Sequence, residues 1–330
     1  TIFFFFLITA SETLIILALR VSGKRTIEII IISLVSIIAM SFLAELLIVK
    51  PDMGEVVYGF IPRLSDSGAL YIAIGIIGAT VMPHNLYLHS NIVINKMKIS
   101  KKEKMKYNKI DSIVALNLAF LVNSAILILA ATTFHKKGYF GIEEIQDAYH
   151  LLEPLLGTKL APALFGIALL AAGQSSTITG TMSGQIVMEG FIDMKIAPWK
   201  TRLATRLLAV IPAVIIIVIG GSQETGDLLI LSQVLLSIQL PFAVVPLIHF
   251  VSSSRLMGRY VIGNFTKTAS WVIAFIIILL NIKLVFDIAD TQLESGIFLL
   301  GYFLYALLIA ALIFLGYIFY YPIKNRKNIK

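Results

Sequence analysis

Gly78-Ala79-Thr80-Val81-Met82-Pro83-His84-Asn85-Leu86-Tyr87-Leu88-His89-Ser90-Asn91 interrupts a hydrophobic span with a glycine, a proline, two histidines, two asparagines and a thioether. A helix at bilayer depth has no water to satisfy freed backbone groups, so such a break survives only where it lines protein or a cavity. Gly-Ala-Thr-Val-Met-Pro predicts the break, with a first half-helix over 70–78 and a second half starting at Pro83. Proline suits a first-turn position because its missing N–H would be an orphan there anyway. Half-helix ends and unwound carbonyls near the midplane are how secondary transporters build ion sites. The thioether and imidazole donors beyond the break suit transition metals, so the stretch reads as half of a metal-ion site.

The chain around it is a polytopic helical membrane protein. Of its 330 residues, 58% are hydrophobic and only 14% charged, and mean hydropathy is +0.90. A soluble domain is nearer half apolar and a quarter charged. Nine spans are expected, at 1–19, 27–49, 70–95, 111–134, 160–192, 202–220, 226–250, 268–286 and 295–321. They form one transmembrane domain over 1–330, with no soluble domain to delimit. Zero cysteines rule out thiolate ligands and disulfides, leaving oxygen, imidazole and thioether for any metal.

The net charge of +8 is topological and does not point to nucleic acid. Of 27 Lys and Arg residues, 21 fall in alternate connections: Arg20–Arg25, Lys96–Lys109, Lys195–Arg206, Arg255–Lys267 and the tail Lys324–Lys330. The positive-inside rule then puts the carboxy terminus in the cytoplasm, in a cell membrane. Lys96–Lys109, read as a basic loop, would attract anionic lipid heads. Nine spans place Thr1 outside. A chain that opens Thr-Ile-Phe-Phe-Phe-Phe, without Met or a basic leader segment, predicts further helices before it, odd in number.

Two other segments depart from plain apolar helix. The stretch 171–191 is rich in Gly, Ser and Thr, which let membrane helices pack closely and bond across interfaces; packing is the favoured reading and direct ion contact the alternative. In 231–246, Gln233 and Ser237 share a face and Pro241 and Pro246 loosen the helix. A Gln at this depth calls for a partner, so either an inward functional placement or an interhelical hydrogen bond is expected.

In the half-helix after Pro83, Met82, Asn85 and His89 form one stripe and His84, Asn91 and Asn95 another. Two polar stripes predict that protein or water surrounds this helix. His84 and His89 point about 140° apart on a helix, so a single ion does not take both. His84 is the proton-relay candidate, because histidine titrates near physiological pH; His89 is left open between structure and function. His135 and His249, at span ends, read as interfacial. Glu12 and Glu45 lie within spans, where an acid is a functional candidate by default, with a salt bridge or a protonated buried acid as the plain alternative. Glu189 lies near a span end, where packing or gating is expected. No nucleophile–base pair, paired carboxylates or phosphate loop suggests an enzyme, and no cofactor is expected.

The runs Met82-Pro83-His84-Asn85-Leu86-Tyr87-Leu88-His89-Ser90, Gly173-Gln174-Ser175-Ser176-Thr177-Ile178-Thr179-Gly180-Thr181-Met182 and Gly184-Gln185-Ile186-Val187-Met188-Glu189-Gly190-Phe191 resemble the signatures of bacterial members of the Nramp family. These are proton-coupled importers of divalent transition metals. The resemblance runs along the whole chain and starts at what would be the family's fourth helix. It implies an all-α LeuT-type inverted-repeat fold, N-terminally incomplete by three helices. Residues 1–49 would close the first repeat, 70–250 would form the second, and 268–321 would add two helices.

In the family, an Asp-Pro-Gly-x-Asn motif on the first broken helix, a backbone carbonyl and a Met thioether hold the metal. The resemblance places the carbonyl at Ala79 and the thioether at Met82. A tenth-helix glutamine maps to Gln233, with Gln239 as the alternative, and His84 matches a position tied to proton movement. Asn85, His89, Glu12, Gln239 and Glu189 remain possible gating or structural residues; Glu12 stands where the family usually has Asp. Asp-Pro-Gly-x-Asn does not occur in this sequence, and Pro51-Asp52-Met53-Gly54 is no substitute; the family's third-helix acidic pair is also missing. The missing helices would supply that half of the site.

The implied cargo is Mn²⁺ or Fe²⁺, with Co²⁺ and Cd²⁺ also taken. The Met82 thioether would disfavour Ca²⁺ and Mg²⁺, which prefer hard oxygen ligands. The competing readings are a sodium-coupled organic-solute symporter of similar fold, against which Met82 and the histidines speak, and a transport-inactive fragment.

Overall fold

The structure is a computed structural model that describes residues 23–61, 67–94, 100–142, 144–191, 198–220 and 225–324. Every long element among them is helical: α1 (Gly23–Val49), α2 (Met53–Tyr58), α3 (Ser67–Thr80), α4 (Pro83–Ile94), α5 (Lys101–Thr133), α6 (Ile145–Leu156), α7 (Leu160–Phe191), α8 (Pro198–Gly220), α9 (Thr225–Val251), α10 (Ser254–Met257), α11 (Asn264–Glu294) and α12 (Phe298–Lys324). Seven spans among the described residues are long and apolar enough to cross a membrane, α3 and α4 counting together as one. Of the two remaining expected spans, 1–19 lies outside the described residues. The other, 202–220, lies within the helix α8.

Two boundaries differ from expectation for local reasons. The basic segment 96–109 is not all loop, because α5 already starts at Lys101. Ser100 Oγ accepts from the Glu103 N–H at 3.3 Å and the Ser100 N–H donates to Glu103 Oε2 at 3.2 Å, a capping box that satisfies two orphan donors at once. Asp52, set aside as a metal ligand, caps α2 by accepting from the Gly54 N–H at 2.7 Å.

Contacts divide the chain into two compact units, with one boundary inside α4, between Asn85 and Leu86. In the first unit, α1 packs on α5 and α7, and α7 also on α6 and α8. Its core joins Phe42, Ala125, Leu129 and Ala168, flanked by Ile38, Leu46, Val49, Val122 and Phe165. The small residues of α7 permit this closeness: a Cβ on Gly184 would overlap the Thr205 side chain of α8. The Thr181 and Ser183 hydroxyls bond within the helix. Thr181 donates to the Thr177 carbonyl and Ser183 to that of Thr179, both at 2.8 Å. The expected packing role holds, and across the interface the Thr205 hydroxyl of α8 donates to Met188 Sδ of α7 at 3.0 Å.

In the second unit, α11 packs on α3 and α12, and Leu70, Ile74, Val234 and Leu284 form the core. His249, expected at an interface, packs edge-on against Trp271 and Phe319, with centroids 5.1 and 5.3 Å away.

Candidate metal site

The break is shorter than the sequence suggests. α3 continues two residues past Gly78 to Thr80, so only Val81 and Met82 lie between the half-helices. The Val81 N–H still donates to the Ile77 carbonyl at 2.9 Å, and α4 opens with the Asn85 N–H on the Met82 carbonyl at 3.1 Å. In an unbroken helix the Ala79 carbonyl would accept from residue 83. That residue is Pro83, which has no N–H, so chain chemistry alone leaves the Ala79 carbonyl without its helical donor. Ala79 is exposed, Met82 and His84 are half-buried, and Pro83 is buried.

α3 meets α9 through its glycines. Gly75 faces Ile230 and Val234 of α9, and a Cβ on Gly78 would overlap the Gln233 carbonyl oxygen and lie 3.0 Å from the Ser237 nitrogen. Gln233 therefore stands beside the end of α3, with Ala79 next in sequence after the contact. Its Nε2 donates to Ser232 Oγ at 3.1 Å, while its Oε1 is buried and accepts no bond among the described residues. Gln239 is exposed on another face of α9, because six residues turn a helix through most of two revolutions and carry the side chain away from Gln233. Ala79, Met82, His84 and Asn85 thus lie at or beside the break along the chain, and Gln233 lies against the end of α3, while Gln239 is exposed.

The remaining expected residues fall elsewhere. Asn85, His89 and Asn91 are exposed on α4 among the described residues. Glu189 is exposed and accepts from Gln185 Nε2 at 2.7 Å, a one-turn pair on α7 that is not aimed at any site. Glu12 lies outside the described residues. Glu45 is fully buried. Among the described residues no three His, Asp or Glu side chains converge as a metal cluster; of the candidate donors, a carbonyl, a thioether and an amide, only the thioether prefers a soft or borderline ion.

Sequence reasoning passed over Asn281. It lies on α11, 7% exposed, and its Nδ2 donates to Ser237 Oγ and to the Ser237 carbonyl, both at 3.3 Å, and to the Ile277 carbonyl at 2.9 Å. The Ser237 carbonyl is free for it because its helical donor would be Pro241. Asn281 thus secures the proline-loosened turn of α9 that carries Gln233. The signal was a lone asparagine in Ile-Ile-Leu-Leu-Asn-Ile, a polar residue at membrane depth that requires a partner.

Comparison with known proteins agrees with this architecture. The Nramp family, described as natural resistance-associated macrophage protein-like, matches residues 1–287. The divalent metal cation transporter MntH of Nostoc sp. is 52% identical over 281 residues, 83% of this chain and 64% of that protein. That of Listeria welshimeri is 48% identical over 286 residues, 84% of this chain and 64% of its own length. A crystal structure of an Eremococcus coleocola manganese transporter mutant superposes with a TM-score of 0.79 at 30% identity, covering 97% of this chain and 71% of that one. The chain spans less than two thirds of the length of these curated relatives. With a family match over most of its length, this all-α, polytopic membrane chain belongs to the Nramp family.

Proposed function

We propose that this chain carries divalent transition-metal ions across a cell membrane, in proton-coupled import by alternating access. Mn²⁺ and Fe²⁺ are the favoured ions, with Co²⁺ and Cd²⁺ accepted. The observation that supports the reading is that α9 meets α3 through Gln233 at Gly78, which is next in sequence to Ala79 with its freed carbonyl and four residues before Met82 in the break. Ala79 and Gln233 would replace hydration oxygens, and Met82 would favour these metals over Ca²⁺. The half-buried His84, one residue beyond Pro83, is the proton-handling group of this reading. Asn85 would face the entry of the break as a gating residue. Excess Lys and Arg in alternate connections support a cytoplasmic carboxy terminus. Curated relatives named as divalent metal cation transporters support the substrate class.

The test is calorimetric titration of the purified chain with Mn²⁺ and separately with Ca²⁺. Saturable Mn²⁺ heat without Ca²⁺ heat supports the assignment. Equal heats, or none for Mn²⁺, would remove these three groups as a selective site.

A further inference from the structure

Glu45 is the most deeply enclosed charged residue type in the described chain. It is 0% exposed, and neither carboxylate oxygen has a hydrogen-bond partner. Such a group in a native structure requires a physical account. On α1 it follows Phe42 by three residues and precedes Val49 by four, so it lies on the stripe that packs into the core with Ala125, Leu129 and Ala168. The candidate metal-site residues Ala79, Met82 and Gln233 belong to the other unit.

Among the described residues, the spans packed against this stripe offer no counter-charge. α1 rests on α5 and α7. From Ser112 to Thr133 in α5, and from Leu160 to Met188 in α7, no residue is acidic, basic or histidine. On α1 itself the nearest acidic or basic residue before Glu45 is Glu28, more than four turns away. The groups just beyond this end of the helices include Lys50, Asp52, Glu55, His135, Lys136, Lys137 and Lys159, all exposed. Lys136 is already paired with Glu55 at 2.7 Å. One turn past Leu129, Thr133 is also fully buried, and its hydroxyl has no partner either.

An ionised carboxylate without water, donor or cation loses its hydration and regains nothing, a cost of at least several kcal/mol. The neutral acid avoids most of that cost and gains an O–H donor. We propose that Glu45 is a proton-binding site in the first unit, its carboxyl protonated in the folded protein at neutral pH. One proton from the aqueous phase forms one O–H bond, and nothing else is exchanged. The site is distinct from the histidine beside the metal-site break.

The test is infrared spectroscopy of the full chain in bilayers, comparing the parent with Glu45→Gln at neutral and at mildly alkaline pH. Gln keeps the shape of the neutral acid, so the variant is expected to fold. The parent should show the carbonyl stretch of a protonated carboxyl at both pH values, and Glu45→Gln should lose that band. A spectrum at neutral pH that does not differ in this region overturns the proposal, including the case in which a metal or sodium ion neutralises the group. If Glu45→Gln does not fold, Glu45→Asp serves instead: the band should shift in frequency, and an unshifted or absent band overturns the proposal equally.

Discussion

Gly78 of α3 and Gln233 of α9 meet backbone to backbone: a Cβ on Gly78 would overlap the Gln233 carbonyl oxygen and lie 2.9 Å from its carbonyl carbon. Because the obstacle is main chain, it cannot swing aside as a flexible side chain would. Gly78→Ala should therefore push α3 off α9, at a cost of about 1–3 kcal/mol or more. Thermal unfolding should fall clearly, and Mn²⁺ affinity with it. Gly75→Ala is the internal control, since its Cβ would meet Ile230 Cγ2 at an ordinary 3.5 Å. Equal effects of the two substitutions would mean that the close approach at Gly78 is not what holds the helices.

Pro83→Ala restores the N–H that proline lacks and lets the Ala79 carbonyl close a helical bond. The expected outcome is opposite movement of two readouts. Helix content and thermal stability hold or rise, while Mn²⁺ binding weakens by about tenfold, or ~1.4 kcal/mol. An unchanged Mn²⁺ titration would show that the freed carbonyl is not a ligand.

Asn281→Ala strands the Ser237 carbonyl, which has no helical donor because residue 241 is proline. Leaving a buried acceptor without a partner costs roughly 1–3 kcal/mol. Supplying the missing N–H with Pro241→Ala in the same chain should recover part of the loss. A double-mutant cycle of unfolding free energies reads this directly, and additive effects would contradict the link between the two residues.

Met82→Ala should weaken Mn²⁺ and Cd²⁺ binding and let Ca²⁺ compete, since only the thioether separates soft from hard ions in this donor set. Competition titrations with Ca²⁺ check it. If Mn²⁺ affinity and Ca²⁺ exclusion both survive, the sulfur plays no selective part.

The membrane class, most helix positions and the break were legible in the chain because they follow from local chemistry. Long apolar runs must be helices when no water can satisfy the backbone, and Pro83 removes an N–H whatever surrounds it. The start of α5 reads as loop from the seven lysines between 96 and 109, while the structure begins the helix at the Ser100–Glu103 capping box. Extension of α3 to Thr80 was likewise hidden, since glycine inside a membrane helix is read equally well as a stop or as a contact. It is a contact here.

Gln233 and Gln239 show most plainly where the sequence runs out. Both are glutamines on one loosened helix, and only burial separates them: Gln233 lies against Gly78, and Gln239 is exposed. Composition, periodicity and the prolines by themselves determined an all-helical membrane protein with a helix broken between Gly78 and Pro83. Tertiary structure alone decided which residue of α9 meets that break, that Asn281 secures the meeting, and that Glu45 has no charged partner on α5 or α7. Backbone hydrogen bonding is settled within four residues along the chain. Partner choice depends on helix rotation and approach, which are set by small residues on two elements at once.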